Sequence, residues 1–89
     1  MGAVAFVGVS VEGPDARRVA ERLVAVPEVG MVATTLGEYE VLVGVAATSR
    51  EALAELVRER ITTQPGVRRT EITEYHEVFK HSYTWARLV

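Results

Sequence analysis

Residues 29–47, VGMVATTLGEYEVLVGVAA, decide the fold of this chain. Two runs rich in apolar residues, 29–36 and 39–47, are separated only by Gly37 and Glu38. Apolar runs on either side of a short break that contains glycine predict two antiparallel strands joined as a β-hairpin. The remaining segments are therefore interpreted by how they pair with this hairpin or pack against it.

The segment before the hairpin predicts one strand and one helix. Residues 3–11 carry no charge, which is typical of a strand covered on both faces. Pro14 suits the first turn of a following helix, and Pro27 ends that helix. The apolar stripe of this helix repeats at i, i+3, i+4, i+7 and i+8 and comprises Ala16, Val19, Ala20, Leu23 and Val24.

The segment after the hairpin predicts a second helix. Thr48 and Glu51 have the spacing of a capping box, which predicts that the helix starts at this point. Pro65 and Gly66 predict its end. The predicted buried stripe comprises Leu53, Leu56, Val57 and Ile61.

The last part of the chain predicts a fourth strand and a short extra one. The fourth strand is expected from residue 67 to about residue 80. Its charged side chains, which are typical of a protected sheet edge, are Arg68, Arg69, Glu71, Glu74 and Glu77. Alternating side chains over residues 83–88 predict a short C-terminal strand.

The order β-α-β-β-α-β is that of an α+β, ferredoxin-like sandwich. We expect residues 1–89 to form one domain, in which a four-stranded antiparallel sheet carries both helices on one face. Among the first three predicted strands only Glu40 is charged, so the opposite sheet face is also predicted to be apolar. The same face of a second copy is the simplest cover, which predicts a homodimer of the α/β barrel type.

The composition excludes several classes of function. The chain has 89 residues, of which 48% are hydrophobic and 25% are charged, as expected of one globular domain. A net charge of -2 argues against direct contact with nucleic acid. The absence of cysteine excludes disulfides, thiolate metal sites and cysteine nucleophiles. Without a signal-peptide pattern or a long apolar run, the chain is expected to be cytoplasmic and not bound to a membrane.

Residues with catalytic potential form no recognisable catalytic group. The serines and the single aspartate make no nucleophilic triad, and His76 and His81 would fall on opposite faces of a strand. We therefore expect no catalytic residue, no metal and no cofactor. The alternative is a small cofactor-independent monooxygenase or isomerase on the same dimeric scaffold, with His76, Tyr75 or Trp85 lining a pocket.

Gly37 and its neighbours form the candidate binding loop. A glycine between two apolar strands can adopt a positive φ, which permits a tight turn and the close approach of a ligand, although it can equally be a simple turn residue. The polar residues around it are Thr34, Thr35, Glu38, Tyr39 and Glu40. Their mixture of hydroxyls and carboxylates suits a zwitterionic amino acid.

Three short motifs have an order and spacing that is typical of one protein family. They are Val26-Pro27-Glu28-Val29, then Gly37-Glu38-Tyr39-Glu40-Val41-Leu42 eight residues after Val29, and Pro65-Gly66-Val67-Arg68-Arg69-Thr70 followed by Lys80. In these motifs the chain resembles the effector-binding domain, or RAM domain, of the Lrp/AsnC (feast/famine) transcription regulators. The resemblance covers nearly the whole chain.

The resemblance implies an α/β domain that dimerises through its sheets and assembles further, for example into octamers. It also implies that a small effector, commonly an amino acid, binds near the family's Gly-x-Tyr-Asp loop. The candidate ligand-binding residues that it implies are Leu36, Gly37, Glu38, Tyr39, Glu40 and Thr70. Leu36, Glu40 and Ile72 depart from the threonine, aspartate and threonine that the family usually has, which implies a more apolar pocket.

We therefore expect a non-catalytic effector-binding and oligomerisation domain of a transcription regulator. The helix-turn-helix domain that normally precedes this domain in the family does not occur in these residues, so contact with DNA would require an attached or partner domain. The chain is then either a stand-alone module or the C-terminal part of a longer regulator.

Overall fold

The computed structural model describes residues 2–77 and residue 79. In chain order the elements are strand β1 (Ala3–Val11), a 3₁₀ turn (Gly13–Asp15), helix α1 (Ala16–Leu23), strands β2 (Val29–Thr34) and β3 (Val41–Ala47), helix α2 (Arg50–Leu56) with a π-helical continuation (Val57–Ile61), and strand β4 (Val67–Glu74). The strand order in the sheet is β2-β3-β1-β4, and all neighbours are antiparallel. This confirms the predicted β-α-β-β-α-β fold and places β4 at an edge of the sheet.

The hydrophobic core lies between the sheet and the two helices. Alternate residues of β1 and β3 point into it, because side chains along a strand alternate between the two faces. The buried apolar side chains of these two strands are Ala3, Ala5, Val7, Val9, Val11, Val41, Val43 and Val45. From the helical segments the core receives Val19, Leu23, Leu53, Leu56, Val57 and Ile61, which confirms most of the two predicted stripes.

The start of α2 differs by one residue from the prediction. Ser49, not Thr48, is the N-cap, because its extended backbone lets its hydroxyl accept a hydrogen bond from the Ala52 amide at 3.0 Å. Glu51 lies in the first turn, where a negative charge interacts favourably with the helix dipole. The predicted capping residue was therefore wrong by one position, while the predicted helix is confirmed.

The end of α1 also differs from the prediction. Helix α1 ends at Leu23, and Val24 is 68% exposed, although the stripe predicted it to be buried. The amide of Val26 donates to the carbonyl of Leu23 at 3.1 Å, and this turn brings Val26 into the core. The helical periodicity predicted the wrong burial for Val24 because α1 ends at Leu23, before Pro27.

The fourth strand is shorter than predicted. It ends at Glu74 instead of near residue 80. In the described part of the sheet its neighbour is β1, whose Ala5 forms the last pair with Glu74, so little of β1 remains for further pairing. The last hydrogen bond on this side runs from the Tyr75 amide to the Val4 carbonyl at 3.2 Å. The predicted C-terminal strand over residues 83–88 lies outside the described residues, as do Lys80 and His81, so it stays a prediction.

The sheet face opposite the helices is apolar over β1, β2 and β3, as predicted. Val4 is 48% exposed, Met31 36% and Tyr75 45%, and the rings of Phe6 and Tyr75 pack edge to face with centroids 5.4 Å apart. Together with small residues they form a trough of about 980 Å³. Its open-face lining comprises Val4, Phe6, Met31, Ala33, Leu42, Gly44, Ala46 and Tyr75.

Candidate functional site

The loop between β2 and β3, residues 35–40, is closed by the backbone and side chain of Thr35. The Thr35 amide donates to the Glu40 carbonyl at 3.0 Å. The Thr35 hydroxyl donates to the Tyr39 carbonyl and accepts from the Gly37 amide at 3.3 Å. One threonine side chain therefore satisfies two backbone groups of this β2–β3 loop and holds its two ends together.

Gly37 does not have the positive φ that the sequence suggested. Among the described residues only Gly66 has a positive φ, of 91°. A Cβ atom at position 37 would meet only the Thr35 hydroxyl oxygen, at 3.9 Å. The interpretation of Gly37 as a left-handed turn residue was wrong, because the Thr35 hydrogen bonds close the turn without one.

The tip of the β2–β3 loop is open to solvent. Leu36, Gly37 and Glu38 are all exposed, and the Leu36 side chain is entirely so. A fully exposed leucine gains nothing from the fold of a single chain, because its apolar surface stays in water. The tip therefore offers both apolar surface and a carboxylate to something outside the chain.

Tyr39 anchors the loop to the open face of the sheet. Its ring lies against Gly8 of β1, and the guanidinium carbon of Arg69 lies 5.6 Å from the ring centroid. Burial raises the pKa of the Tyr39 hydroxyl, and hydrogen bonding to the Glu71 carboxylate raises it further. The side chain thus reaches from the start of β3 across β1 toward β4.

Glu40 anchors the loop a second time. Its carboxylate accepts a hydrogen bond from the Val11 amide at 2.9 Å, where the pairing of β1 with β4 shifts register after Ser10. This hydrogen bond lowers the pKa of Glu40, so the carboxylate is held in its charged form. The Glu40 charge therefore lies at the end of β1 and not at the loop tip.

Thr70 lies on the other face of the sheet from the Tyr39 ring. It pairs with the buried Val9 of β1, and its hydroxyl lies 3.1 Å from the hydroxyl of Thr62, which directly follows the helical segment. The structure therefore divides the six predicted ligand-binding residues into three groups. They are the exposed tip Leu36, Gly37 and Glu38, the two anchors Tyr39 and Glu40, and the separate Thr70.

Sequence reasoning missed three residues that contact Tyr39. Gly8 leaves the space for its ring, and Arg69 and Glu71 of β4 flank the side chain. A glycine inside a strand is a signal for close approach of another group, but nothing in the sequence says which group approaches. The charges on β4 indicated only an edge strand.

The features expected of the alternative enzyme are not found among residues 2–77 and 79. The His76 side chain is 96% exposed, and Tyr75 lines the open trough instead of an enclosed pocket. Trp85 lies outside the described residues. Within the described part of the chain no cluster of three potential metal ligands occurs, and no helix there is long and apolar enough to cross a bilayer.

Comparison with protein families and with curated proteins points to transcription regulators. Residues 1–88 match the model of an AsnC-type transcription-regulator family, described as the PF0864 C-terminal dimeric alpha+beta barrel domain. An uncharacterized HTH-type transcriptional regulator of Pyrococcus abyssi is 28% identical over 80 residues, which cover 90% of this chain and 51% of that protein. The chain thus spans about half the length of this curated relative.

Solved structures with the same fold include both short and long chains. TTHA0845 of Thermus thermophilus is 25% identical with a TM-score of 0.81, and the match covers 89% of this chain and 99% of that one. The feast or famine regulatory protein of Mycobacterium tuberculosis, solved in complex with L-methionine, is 29% identical with a TM-score of 0.75. That match covers 91% of this chain and 54% of the other.

Proposed function

Since this chain belongs to the Lrp/AsnC family of transcription regulators, we propose that residues 1–89 form one effector-binding and assembly domain without catalytic activity. The observation that carries this proposal is the β2–β3 loop, which two anchors fix to the sheet while its tip is exposed. A rigidly held but solvent-facing tip is suited to binding because little ordering is needed when the ligand arrives.

The proposed domain is a homodimer whose two sheets pack face to face. The open face of each chain leaves Val4, Met31 and Tyr75 partly exposed beside a wide apolar trough, and its burial would remove this surface from water. The description of the matched family as a dimeric barrel supports the same arrangement. We propose that dimers associate further, up to an octamer, through surfaces that include the exposed Leu36.

The proposed effector is a small molecule of the amino-acid class. At the loop tip, the Glu38 carboxylate can pair with an ammonium group, and Leu36 offers an apolar surface to a side chain. L-methionine, which the Mycobacterium tuberculosis relative binds, has both features and is the first compound to test. An effector that prefers one assembly over another shifts the population by its difference in affinity.

In this proposal the domain reaches DNA only through an attached or partner helix-turn-helix domain. The net charge of -2 argues against a broad basic surface that could bind phosphates. As a domain of a transcription regulator, the chain is proposed to act in the cytoplasm.

Calorimetric titration with each of the twenty amino acids tests the proposal, with sedimentation velocity measured before and after each addition. We expect L-methionine or another apolar amino acid to bind and to change the distribution of assemblies. Leu36→Ser and Val24→Ser form a matched pair, because both residues are exposed. Their comparison distinguishes a specific role of the loop in binding from a general effect of losing apolar surface. Only Leu36→Ser should weaken binding. If no amino acid binds and the assembly never changes, the sensing role is wrong.

A further inference from the structure

Gly8 has a neighbour that leaves no room for a side chain. It lies in the middle of β1 on the open face, opposite Leu42 of β3 and Glu71 of β4. A Cβ atom at this position would lie 2.7 Å from Cδ2, 2.8 Å from Cγ and 3.0 Å from Cε2 of Tyr39. These distances are shorter than any ordinary carbon–carbon contact. With any other residue at position 8, the whole Tyr39 ring would therefore have to swing away from β1.

Another glycine on the same face shows that this crowding is specific. Gly44 of β3 also points to the open face, but a Cβ atom there would come no closer than 3.3 Å, to the Cβ atom of Met31. A shift of a few tenths of an ångström at Met31 would accommodate that methyl group. The three atoms nearest to a Cβ at position 44 belong to Met31 and Phe6 at the apolar end of the face, and none belongs to Tyr39. It provides a matched control for Gly8.

A displaced Tyr39 ring would release one of the two anchors of the β2–β3 loop. The carbonyl of Tyr39 accepts the Thr35 hydroxyl that closes the loop, and the next residue, Glu40, is bound to the Val11 amide. Arg69 and Glu71 hold the ring from the β4 side. If the ring leaves Gly8, the loop loses this anchor, and of its two anchors only the hydrogen bond between Glu40 and Val11 remains.

We propose that Gly8 is a positioning residue for the β2–β3 loop, because its missing side chain lets the Tyr39 ring lie on β1 and thereby fixes the exposed tip. The effect on the loop conformation stands on this geometry alone. The further consequence, that Gly8 sets the affinity for an amino acid, rests on the function proposed above.

The experiment compares Gly8→Ala with Gly44→Ala. Amide NMR spectra should show shifted signals for residues 36–38 in Gly8→Ala and unshifted ones in Gly44→Ala. The Tyr39 hydroxyl should titrate at a lower pKa in Gly8→Ala, because the ring leaves its partly buried position beside Glu71. Calorimetry with L-methionine should show affinity reduced about tenfold in Gly8→Ala, as expected for a methyl group inserted into a close contact.

A double variant tests whether the effect acts through the Tyr39 ring. In a Tyr39→Ala background the space above position 8 is empty, so Gly8→Ala should add no further shift of the loop signals and no further loss of affinity. If Gly8→Ala alone fails to fold, recovery of folding in Gly8→Ala/Tyr39→Ala supports the proposal, and continued failure overturns it.

The outcomes separate the two proposals. Loop signals in Gly8→Ala that match those of the unaltered chain, or that move no more than in Gly44→Ala, overturn the positioning role. An unaltered chain that binds none of the amino acids overturns the sensing function, and the NMR comparison still decides the role of Gly8.

Discussion

The two ends of the open sheet face differ in composition although β1 runs from one end to the other. The apolar end, made of Val4, Phe6, Met31 and Tyr75, forms the trough, whose described lining carries no charge except that of Glu28. The polar end comprises Tyr39, Glu40, Arg69 and Glu71, which meet over Gly8 and at the end of β1. In the proposed function, the apolar end forms the dimer interface and the polar end holds the loop that binds the effector.

This division predicts that assembly and effector binding can be altered separately. None of the four residues named for the apolar end is a partner in the hydrogen bonds that hold the β2–β3 loop. Variants at the two ends should therefore change different measurements. Any coupling between effector binding and assembly would then be transmitted by the sheet that connects the two ends.

The largest effect is expected from a charge placed at the apolar end. Val4→Glu puts a carboxylate into the face that the proposed dimer buries, and an unpaired buried charge is costly. The dissociation constant of the dimer should rise at least about 100-fold. Sedimentation velocity over a dilution series measures it.

Val24→Glu is the matched control for this variant. Val24 is also an exposed valine, at 68%, but it follows α1 in the helix layer. The control should leave the dimer unchanged. If both variants dissociate equally, the open face is not the dimer interface. The apolar end would then have no role in assembly.

A smaller effect is expected at the polar end from Glu40→Ala. The variant removes the acceptor of the Val11 amide and releases one of the two loop anchors. Affinity for L-methionine should fall about tenfold, while the dimer persists. Glu40→Gln keeps an oxygen acceptor and should lie between Glu40→Ala and the unaltered chain. Calorimetry and sedimentation on the same samples measure the two effects, and loss of the dimer in Glu40→Ala would contradict the division.

The Glu40 anchor also predicts a dependence of stability on pH. The Val11 hydrogen bond lowers the pKa of Glu40 in the folded chain. A carboxyl with a lowered folded pKa stabilises the fold above its unfolded pKa, and this contribution is lost as the pH falls through the folded value. The excess stability over Glu40→Gln should therefore shrink between about pH 7 and about pH 3 in thermal unfolding. A difference that stays constant over this range would show that the charge of Glu40 does not contribute.

The fold was predictable from the sequence because its apolar patterns are clear. The continuous uncharged runs around Val7 and Val43 predicted the sheet, and helical stripes such as Leu53 to Ile61 predicted the helices. The errors lie at element ends, where a single hydrogen bond decides. Ser49 rather than Thr48 caps α2, and the turn after Leu23 exchanges Val24 for Val26 in the core.

The arrangement of the loop was less predictable because it depends on contacts between distant residues. The motif identified the residues of the β2–β3 loop, but not that Thr35 closes it or that Glu40 bonds to Val11, 29 positions away. Gly8 illustrates the limit most clearly. Its sequence position signals only that something approaches β1, and the partner, Tyr39, is known only once β3 is paired beside it.

The smallest effect is expected from the exposed ion pair beside the apolar end. Arg50 at the start of α2 donates to Glu74 at the end of β4 with an Nε–Oε1 distance of 3.1 Å, and the Arg50 side chain is 78% exposed. Such surface pairs contribute about 0–1 kcal/mol, because water and salt screen the charges. Arg50→Gln should therefore change the free energy of unfolding no more than Arg17→Gln, whose partner Glu21 is 4.0 Å away. Chemical denaturation of both variants measures this. A clearly larger loss of unfolding free energy in Arg50→Gln would mean that the apolar end also depends on a polar contact. The two ends would then differ only in how much they rely on polar contacts.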